Sequence, residues 1–230
     1  MTDPDFNQRQ QLLSYLQEFI TPNKKSKFDA LILQRTRHLT IVLEDIYQPH
    51  NASAVLRSCD CFGIQDVHII ENMNKYEVNP DVALGSSKWL NLIRYRETEN
   101  NTESCLKKLK SNGYRIIATT PHENDFIPDT LPLEQKTALI FGTELAGLSQ
   151  VALDLADGYV RIPMYGFTES FNISVSAALL LYTLTDRLRK SGIRWELSDG
   201  EKLEIQINWT KNVIKRSSLL EKLFLERIKS

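Results

Sequence analysis

Short runs of aliphatic and β-branched residues recur along the chain, and most are followed by a stretch with helical periodicity. The runs predicted as strands are Leu39–Glu44, 67–70, Arg115–Thr119, Thr137–Phe141 and 159–162. Apolar residues spaced three or four apart predict helices over 6–20, 27–35, 51–62, 102–109, 149–156, 172–190 and much of 200–229. This alternation predicts an α/β fold with a mostly parallel sheet and helices on both faces. In such sheets the functional site forms in loops at the carboxyl ends of the strands.

Length and composition limit the alternatives further. The chain has 230 residues, which corresponds to one domain, or to one domain with helical attachments. Hydrophobic residues make up 42% and charged residues 25%, a balance that excludes general disorder. No apolar run approaches about 18 residues and the start lacks an apolar signal core, so we expect neither a membrane span nor secretion. The three cysteines fit no disulfide framework and no Cys/His cluster suggests a metal, so we expect a reduced, cytoplasmic, metal-free protein.

Basic residues concentrate near both ends of the chain, although the net charge is −1. Residues 21–40 hold five Lys or Arg against one Asp, and residues 202–230 hold seven against three Glu. Such clusters bind the phosphates of RNA because they release condensed counterions. They also occur as ordinary solvated helix faces, and on charge alone this second interpretation is favoured.

Residues 49–63 form the first of three segments, here called motifs, that carry chemically useful side chains. Asn51 is predicted to cap a helix, and Arg57 lies nearly two turns further along it. A helix N-terminus can hold an anion, but a capped helix with a surface arginine is the simpler explanation of this motif alone. Neither G-x-G-x-x-G nor G-x-x-x-x-G-K-[ST] occurs, which argues against dinucleotide and P-loop enzymes.

Two further motifs follow predicted strands. The second motif, residues 141–149, combines a carboxylate with glycines that let the backbone approach a ligand closely: Gly142, Glu144 and Gly147. The third motif, residues 162–176, places hydroxyl and amide groups beside the start of a helix: Ser170, Asn172 and Ser174. Taken singly, a glycine-rich turn and a capped helix also explain these two segments.

Together and in this order, the three motifs resemble those of the SPOUT superfamily, most closely its SpoU/TrmH branch of RNA ribose 2'-O-methyltransferases. The pattern N-x-S-A-x-x-R-x-x-D-x-x-G is met by Asn51, Ser53, Ala54, Arg57, Asp60 and Gly63. The pattern F-G-x-E-x-x-G is met by Phe141, Gly142, Glu144 and Gly147. The pattern I-P-M-x-G-x-x-x-S-x-N-x-S-V is met by Ile162, Pro163, Met164, Gly166, Ser170, Asn172, Ser174 and Val175. The resemblance covers about residues 35–192.

The resemblance implies a C-terminal trefoil knot that binds S-adenosylmethionine, and a homodimer with the site near the subunit interface. The implied cofactor residues are Thr119, Gly142, Glu144, Ile162, Met164 and Phe171. The residues implied in catalysis are Arg57, Asn51, Ser170 and Asn172. The implied reaction moves a methyl group from S-adenosylmethionine to a ribose 2'-hydroxyl. Arg57 then assists loss of the hydroxyl proton or stabilises the developing alkoxide, and the second role is physically safer because a guanidinium rarely loses its proton.

RNA would be held by basic side chains of the chain ends and of the rim of the knot. The candidates are Arg35, Lys88, Arg187, Arg189 and Lys190. Trp89 and Tyr165 are candidates for stacking on a base. For Trp89 packing in the core is favoured, because large aromatic side chains are usually mostly buried.

The short extensions resemble those of branch members that methylate guanosine 18 in the D-loop of tRNA. Only about 38 residues precede the first strand, too few for the N-terminal domain carried by many members that act on ribosomal RNA. We therefore expect an RNA-binding helical extension over 1–38, the methyltransferase domain over 39–192 and a C-terminal helical extension over 193–230. The expected partners are tRNA and a second copy of the chain.

Two departures from the branch concern the expected RNA path. Glu169 stands where the branch often has Gln, and residues 185–189 read Thr-Asp-Arg-Leu-Arg where it often has Q-R-Q-R. Three alternatives stay open: ribosomal RNA as the substrate, methylation of a base, and a catalytically silent RNA-binding or assembly factor on the same fold. Retention of Arg57 argues against the last, and the ribose-type first motif ranks base methylation lower.

Overall fold

The computed structural model describes residues 4–75, 85–121, 123, 125–144 and 146–228. The strands in this part of the chain are β1 Leu39–Glu44, β2 Asp66–Ile70, β3 Asn91–Tyr95, β4 Arg115–Thr119, β5 Thr137–Phe141 and β6 Gly158–Val160. Its helices are α1 Pro4–Gln17, α2 Pro22–Ile32, α3 Pro49–Cys61, α4 Asn101–Ser111, α5 Gln150–Leu155, α6 Ile173–Lys190, α7 Asp199–Val213 and α8 Ser217–Arg227. A 3₁₀ turn, Ser86–Lys88, precedes β3.

The strands form one sheet in the order β3-β2-β1-β5-β4-β6, and every described pairing is parallel. The chain winds outward from β1 on one side and returns through β5 on the other, so the strand order reverses between these two. Leu43 pairs with Phe141, which places the carboxyl ends of β1 and β5 level with each other. A crevice forms at such a reversal. The predicted α/β fold with a mostly parallel sheet is confirmed.

Apolar clusters cover both faces of the sheet. Ile41 and Leu43 belong to a cluster with residues of α3 and α6, whereas Val42 belongs to a cluster with residues of α4. This division follows from the two-residue period of a strand. All of β1 is buried, as expected for a parallel strand that is covered on both faces.

The predicted strands agree with the structure residue for residue at β1, β4 and β5. β3 was not predicted from the sequence. It is an edge strand in which Asn91 is half-buried and Arg94 is exposed, so its apolar pattern is weak. The strand predicted over 159–162 covers Gly158–Val160 instead, because the chain leaves the sheet at Arg161 ahead of a proline.

Asn51 is not the N-cap of α3, so this part of the prediction is wrong. The helix begins at Pro49 and Gln48 is its N-cap, which agrees with the preference of proline for the first helical position. Similarly, the second helix begins at Pro22 rather than at residue 27, and the Thr21 hydroxyl caps it by accepting from the Lys24 amide. In both cases the proline starts a helix instead of only ending the preceding segment.

The helix predicted over much of 200–229 is two helices. Arg216 has a φ of 60°, in the left-handed region, and separates α7 from α8. Ser198 begins α7 with a reciprocal capping box, because its hydroxyl accepts from the Glu201 amide while the Glu201 carboxylate accepts from the Ser198 amide.

The chain divides into two compact units. One spans Thr36–Trp195 and contains the sheet; the other combines the segments on either side of it. In the second unit, apolar side chains of α1, α7 and α8 form a small core of Leu12, Leu16, Leu203, Ile207 and Phe224. The unit boundaries lie within three residues of the predicted 38/39 and 192/193 divisions, and RNA binding by 1–38 stays a prediction.

Neither a membrane span nor a metal cluster is found in the described part of the chain. None of its helices is both long enough and apolar enough to cross a bilayer. Its His, Cys, Asp and Glu side chains form no group of three or more that could hold a metal ion.

A buried histidine lies under α4. His68 is 6% exposed and its Nδ1 is 3.1 Å from the Tyr95 hydroxyl oxygen. Burial, with a smaller contribution from the charge of Lys108, lowers the pKa of His68 to about 4. Burial likewise lowers the pKa of His38. The folded protein therefore holds both imidazoles neutral at pH values where the unfolded chain protonates them.

We expect the free energy of unfolding to fall as the pH drops from about 6.5 to about 4, because protons bind the unfolded chain preferentially. For His68 alone the loss reaches about 3 kcal/mol. Urea titrations of His68→Gln should show a weaker dependence on pH over this range. His50→Gln, at an exposed position, is the matched control and should keep the wild-type dependence. Equal pH dependence in His68→Gln and wild type would contradict the assignment.

Candidate active site

Asn51 joins the three motifs by direct hydrogen bonds. Its amide nitrogen donates to a carboxylate oxygen of Glu144 and, at 3.1 Å, to Oε1 of Gln48. Its amide oxygen accepts from the side-chain nitrogen of Asn172 at 3.1 Å. Asn51 is only 5% exposed, and a buried amide is stable only when it has such partners. The motifs thus meet in the crevice beyond the carboxyl ends of β1 and β5.

Asn172 is oriented from both ends of its amide group. As the N-cap of α6, its Oδ1 accepts from the Ser174 backbone N–H at 2.9 Å and from the Ser174 hydroxyl at 2.6 Å. Its nitrogen is then left to donate to Asn51. The capping role predicted for the third motif and the contact with the first motif are therefore performed by one side chain.

The second motif folds into a tight turn directly after β5. The backbones of Thr143 and Gly147 exchange two hydrogen bonds of 3.0 and 3.1 Å. A Cβ atom at Gly142 would overlap the carbonyl oxygen of Gly147, and Gly147 itself has a φ of +70°. Both glycines are required by this geometry, the first for space and the second for its backbone conformation.

Glu44, at the end of β1, holds the far end of this turn, and sequence reasoning missed it. The side chain is 2% exposed and accepts from the Ser149 N–H at 2.9 Å and the Ser149 hydroxyl at 2.7 Å. It also accepts from the Thr102 hydroxyl at 2.6 Å. The sequence did contain a signal for this role, a carboxylate at the end of a largely apolar strand. Such a charge is buried only when several donors hydrogen-bond to it.

A cavity of about 490 Å³ lies beside this network. All six residues implied in cofactor binding line it: Thr119, Gly142, Glu144, Ile162, Met164 and Phe171. Ser170 and Asn172, implied in catalysis, also line it. Apolar walls are supplied by Leu148, Leu153 and Leu180. The cavity therefore combines apolar walls with convergent polar groups, as small-molecule sites do.

Arg57 is placed differently from the other candidates. It is exposed on α3, whereas Asn51 on the same helix is buried behind Glu144 and Asn172. Within the described residues, Arg57 has neither a hydrogen-bond nor an ion-pair partner, and it does not line the 490 Å³ cavity. Six helical residues advance about 9 Å along the axis, so Arg57 is available only to a ligand that extends beyond the cavity.

Two of the basic side chains predicted to bind RNA contact their own domain. Arg187 donates to the backbone oxygen of Pro128. Arg189 donates to the backbone oxygen of Phe62 at 3.0 Å, and its guanidinium lies 5.6 Å from the ring centroid of Trp195. Arg189 remains exposed, so these contacts orient the guanidinium while leaving one side open to solvent.

The remaining basic candidates differ in exposure. Lys190 is exposed and forms a 2.8 Å ion pair with Asp186, which raises the pKa of Lys190, and Lys88 is exposed as well. Arg35 is only 4% exposed, and its guanidinium lies over the Trp209 ring at 5.1 Å. The prediction of an RNA contact is wrong for Arg35, because its length and charge are used in packing on an aromatic ring.

The two aromatic residues that were candidates for base stacking also differ in exposure. Trp89 is half-buried beside the 3₁₀ turn, and its backbone oxygen accepts from the side chain of Gln65 at 3.0 Å. Tyr165 is 98% exposed. Tyr165 therefore offers an open ring face.

Comparison with known proteins agrees with this geometry. Residues 38–182 match the model of the SpoU rRNA Methylase family, a span of more than half the chain that includes all three motifs. The chain belongs to the SpoU rRNA Methylase family. The prediction of a SpoU-type methyltransferase is thereby confirmed. That prediction was based on the order and spacing of the three motifs.

Relatives within the SpoU family extend over nearly the whole chain. The tRNA (guanosine(18)-2'-O)-methyltransferase of Borreliella burgdorferi is 44% identical over 92% of this chain and 95% of its own length. The crystal structure of the A. aeolicus TrmH/SpoU tRNA modifying enzyme has a TM-score of 0.74 and 27% identity, covering 84% of this chain and 98% of that one.

A second SpoU structure supports the fold alone. It is the SpoU methyltransferase AviRb from Streptomyces viridochromogenes, solved in complex with the cofactor AdoMet. Its TM-score is 0.58 at 23% identity, and the match covers 68% of this chain and 63% of that one.

We expect Gly142→Ala to open the turn of the second motif, because its Cβ would overlap the Gly147 carbonyl. Isothermal titration with S-adenosylmethionine should show affinity reduced by at least about tenfold, given the cost of forcing strained backbone. Gly192→Ala is the matched control, since nothing lies within 4 Å of its added Cβ, and it should bind as wild type does. Wild-type affinity in Gly142→Ala would show that the turn does not shape the cofactor site.

Proposed function

We propose that this chain transfers a methyl group from S-adenosylmethionine to the ribose 2'-hydroxyl of guanosine 18 in tRNA. The observation that carries the proposal is the meeting of Asn51, Glu144 and Asn172 beside the 490 Å³ cavity. The 44% identical relative from Borreliella burgdorferi, named for this reaction, supports the choice of nucleotide. A tRNA substrate in turn implies a cytoplasmic enzyme.

The cavity suits S-adenosylmethionine in its chemistry. S-adenosylmethionine carries no phosphate, and its adenine ring needs an apolar slot with backbone groups as hydrogen-bond partners. Ile162, Met164 and Phe171 form walls of such a slot. The tight turn at Gly142 brings main chain to the cavity without an intervening side chain. When bound, the cofactor supplies a methyl group on a sulfonium. The trefoil knot implied by the resemblance stays a prediction.

The protein's own part in the reaction is positioning and charge. Arg57, exposed on α3, grips the phosphate next to the target ribose and stabilises negative charge that develops on the 2'-oxygen. Ser170 and Asn172 orient the ribose at the mouth of the cavity. Asn51 acts through Glu144 and Asn172, which it holds in place. Alignment of the 2'-oxygen with the methyl group supplies much of the rate.

The other proposed RNA contacts lie on the unit that contains the sheet, and they do not line the cavity. Lys88 and Arg189 are exposed, and Arg189 is oriented by Trp195 and Phe62. Arg187 and Lys190 contribute charge, although both already have partners in the protein.

A homodimer is proposed from the exposed face of α6 and the residue before its cap. Phe171, Val175, Leu179 and Tyr182 are exposed apolar side chains at helical spacing, so they form one stripe. Stripes of this kind mark contact surfaces, and two copies related by a two-fold axis bury the same stripe on each other.

The decisive test of function is methyl transfer to tRNA. Wild type with labelled S-adenosylmethionine should modify a tRNA transcript with guanosine at position 18 as a 2'-O-methylnucleoside, and should leave an adenosine-18 transcript unlabelled. Arg57→Ala should lower kcat by about 100- to 1,000-fold, the usual cost of removing a charge stabiliser. Arg96→Ala, exposed after β3, is the matched control and should retain activity.

Each other result assigns a different function. Label in ribosomal RNA alone would keep the chemistry and overturn the substrate. Binding of S-adenosylmethionine without label in either RNA would favour a silent RNA-binding factor.

Leu179→Arg should convert the dimer to a monomer, because a charge at the centre of the stripe loses its hydration on assembly. Light scattering should give twice the chain mass of 26.5 kDa for wild type and 26.5 kDa for the variant. Met73→Arg, more exposed but outside the stripe, is the control and should remain dimeric. A wild-type protein that is monomeric at micromolar concentration would overturn the proposal.

A further inference from the structure

A second cavity, of about 580 Å³, adjoins the first. The loop 163–169 of the third motif forms most of it. The two cavities share five lining residues: Pro121, Arg161, Ile162, Met164 and Glu169. A ligand that spans this boundary therefore contacts the cofactor cavity and the loop together.

Two opposite charges stand at the boundary. Arg161 is half-buried, and its Nε is buried without a hydrogen-bond partner among the described residues. Glu169 is exposed, and no ion pair joins it to Arg161 in this part of the structure. A buried donor that lacks an acceptor costs free energy unless a ligand supplies one. The pair thus presents a donor and an acceptor to whatever enters the cavity.

Two aromatic rings belong to the same loop. Tyr165 and Phe167 both line the second cavity and are almost fully exposed. Open aromatic rings and arginine planes are the surfaces on which proteins stack unpaired RNA bases, whose Watson–Crick edges are then read by hydrogen bonds. The combination of rings, carboxylate and guanidinium in one cavity matches this mode of recognition.

We propose that the second cavity binds the base of the target nucleotide and that Glu169 determines its identity as guanine. Guanine presents two adjacent donors, N1–H and the N2 amino group, beside the acceptor O6. A carboxylate accepts from both donors, and Arg161 donates to O6. Adenine, cytosine and uracil lack this set of groups. The inference rests on the proposed methylation of guanosine, and it adds the residues that read the base.

The experiment compares three tRNA transcripts that differ only at the target position, with guanosine, inosine or adenosine. Inosine lacks the N2 amino group but keeps N1–H and O6. Wild type should prefer guanosine to inosine by about tenfold in kcat/KM, the usual effect of one hydrogen bond to a charged group. In Glu169→Gln the preference should shrink to about twofold, because the amide accepts only one of the two donors. Glu97→Gln, an exposed carboxylate after β3, should keep the wild-type preference.

Glu169 is exposed, so its substitution should not change the melting temperature, and wild type and variant are compared on the same transcripts. An unchanged guanosine-to-inosine ratio in Glu169→Gln would overturn the inference. A raised KM for S-adenosylmethionine with an unchanged ratio would also overturn it, and would assign the pair to the charged methionine end of the cofactor. Failure of wild type to methylate the guanosine transcript would instead overturn the proposed function.

Discussion

The side-chain amide of Asn51 is the point on which the site depends. It hydrogen-bonds to residues 93 and 121 positions away, so one group sets the mutual distances of three segments. Because it is buried, each lost partner would leave an unpaired polar group in place of a bond. The start of α3, the turn after β5 and the cap of α6 are in this way coupled into one arrangement.

Glu44 makes a second set of hydrogen bonds that positions the site. It connects the end of β1 to the cap of α5 and to the start of α4. The second motif is therefore held at two points. Asn51 binds it at Glu144, and Glu44 binds it at Ser149. A site built on strand ends and helix caps is positioned more accurately than one carried by free loops.

The sequence predicts the scaffold better than the contacts. Continuous β-branched runs identify β1, β4 and β5, because strands covered on both faces must be apolar throughout. The edge strand β3 carries too many polar residues to show that pattern. The six residues implied in cofactor binding came from the family resemblance, and the structure gathers them around one cavity. Their hydrogen-bond partners depend on three-dimensional approach, which periodicity along one segment does not encode.

Two errors have the same cause. Asparagine is a common helix cap and arginine a common surface residue. In both cases, however, partners distant in sequence determine where the side chains of Asn51 and Arg35 lie. The amide is drawn to Glu144 and the guanidinium to the ring of Trp209.

The small helical core has a consequence for biosynthesis. Leu12 and Leu16 of α1 pack with Leu203 and Ile207 of α7, which are translated some 190 residues later. At ribosomal speeds this delay is roughly 10 to 40 seconds. Throughout that interval the first amphipathic helix has emerged without its partners, while the whole sheet between Thr36 and Trp195 is completed. The catalytic unit is thus able to form first, and the helical unit assembles only as translation finishes.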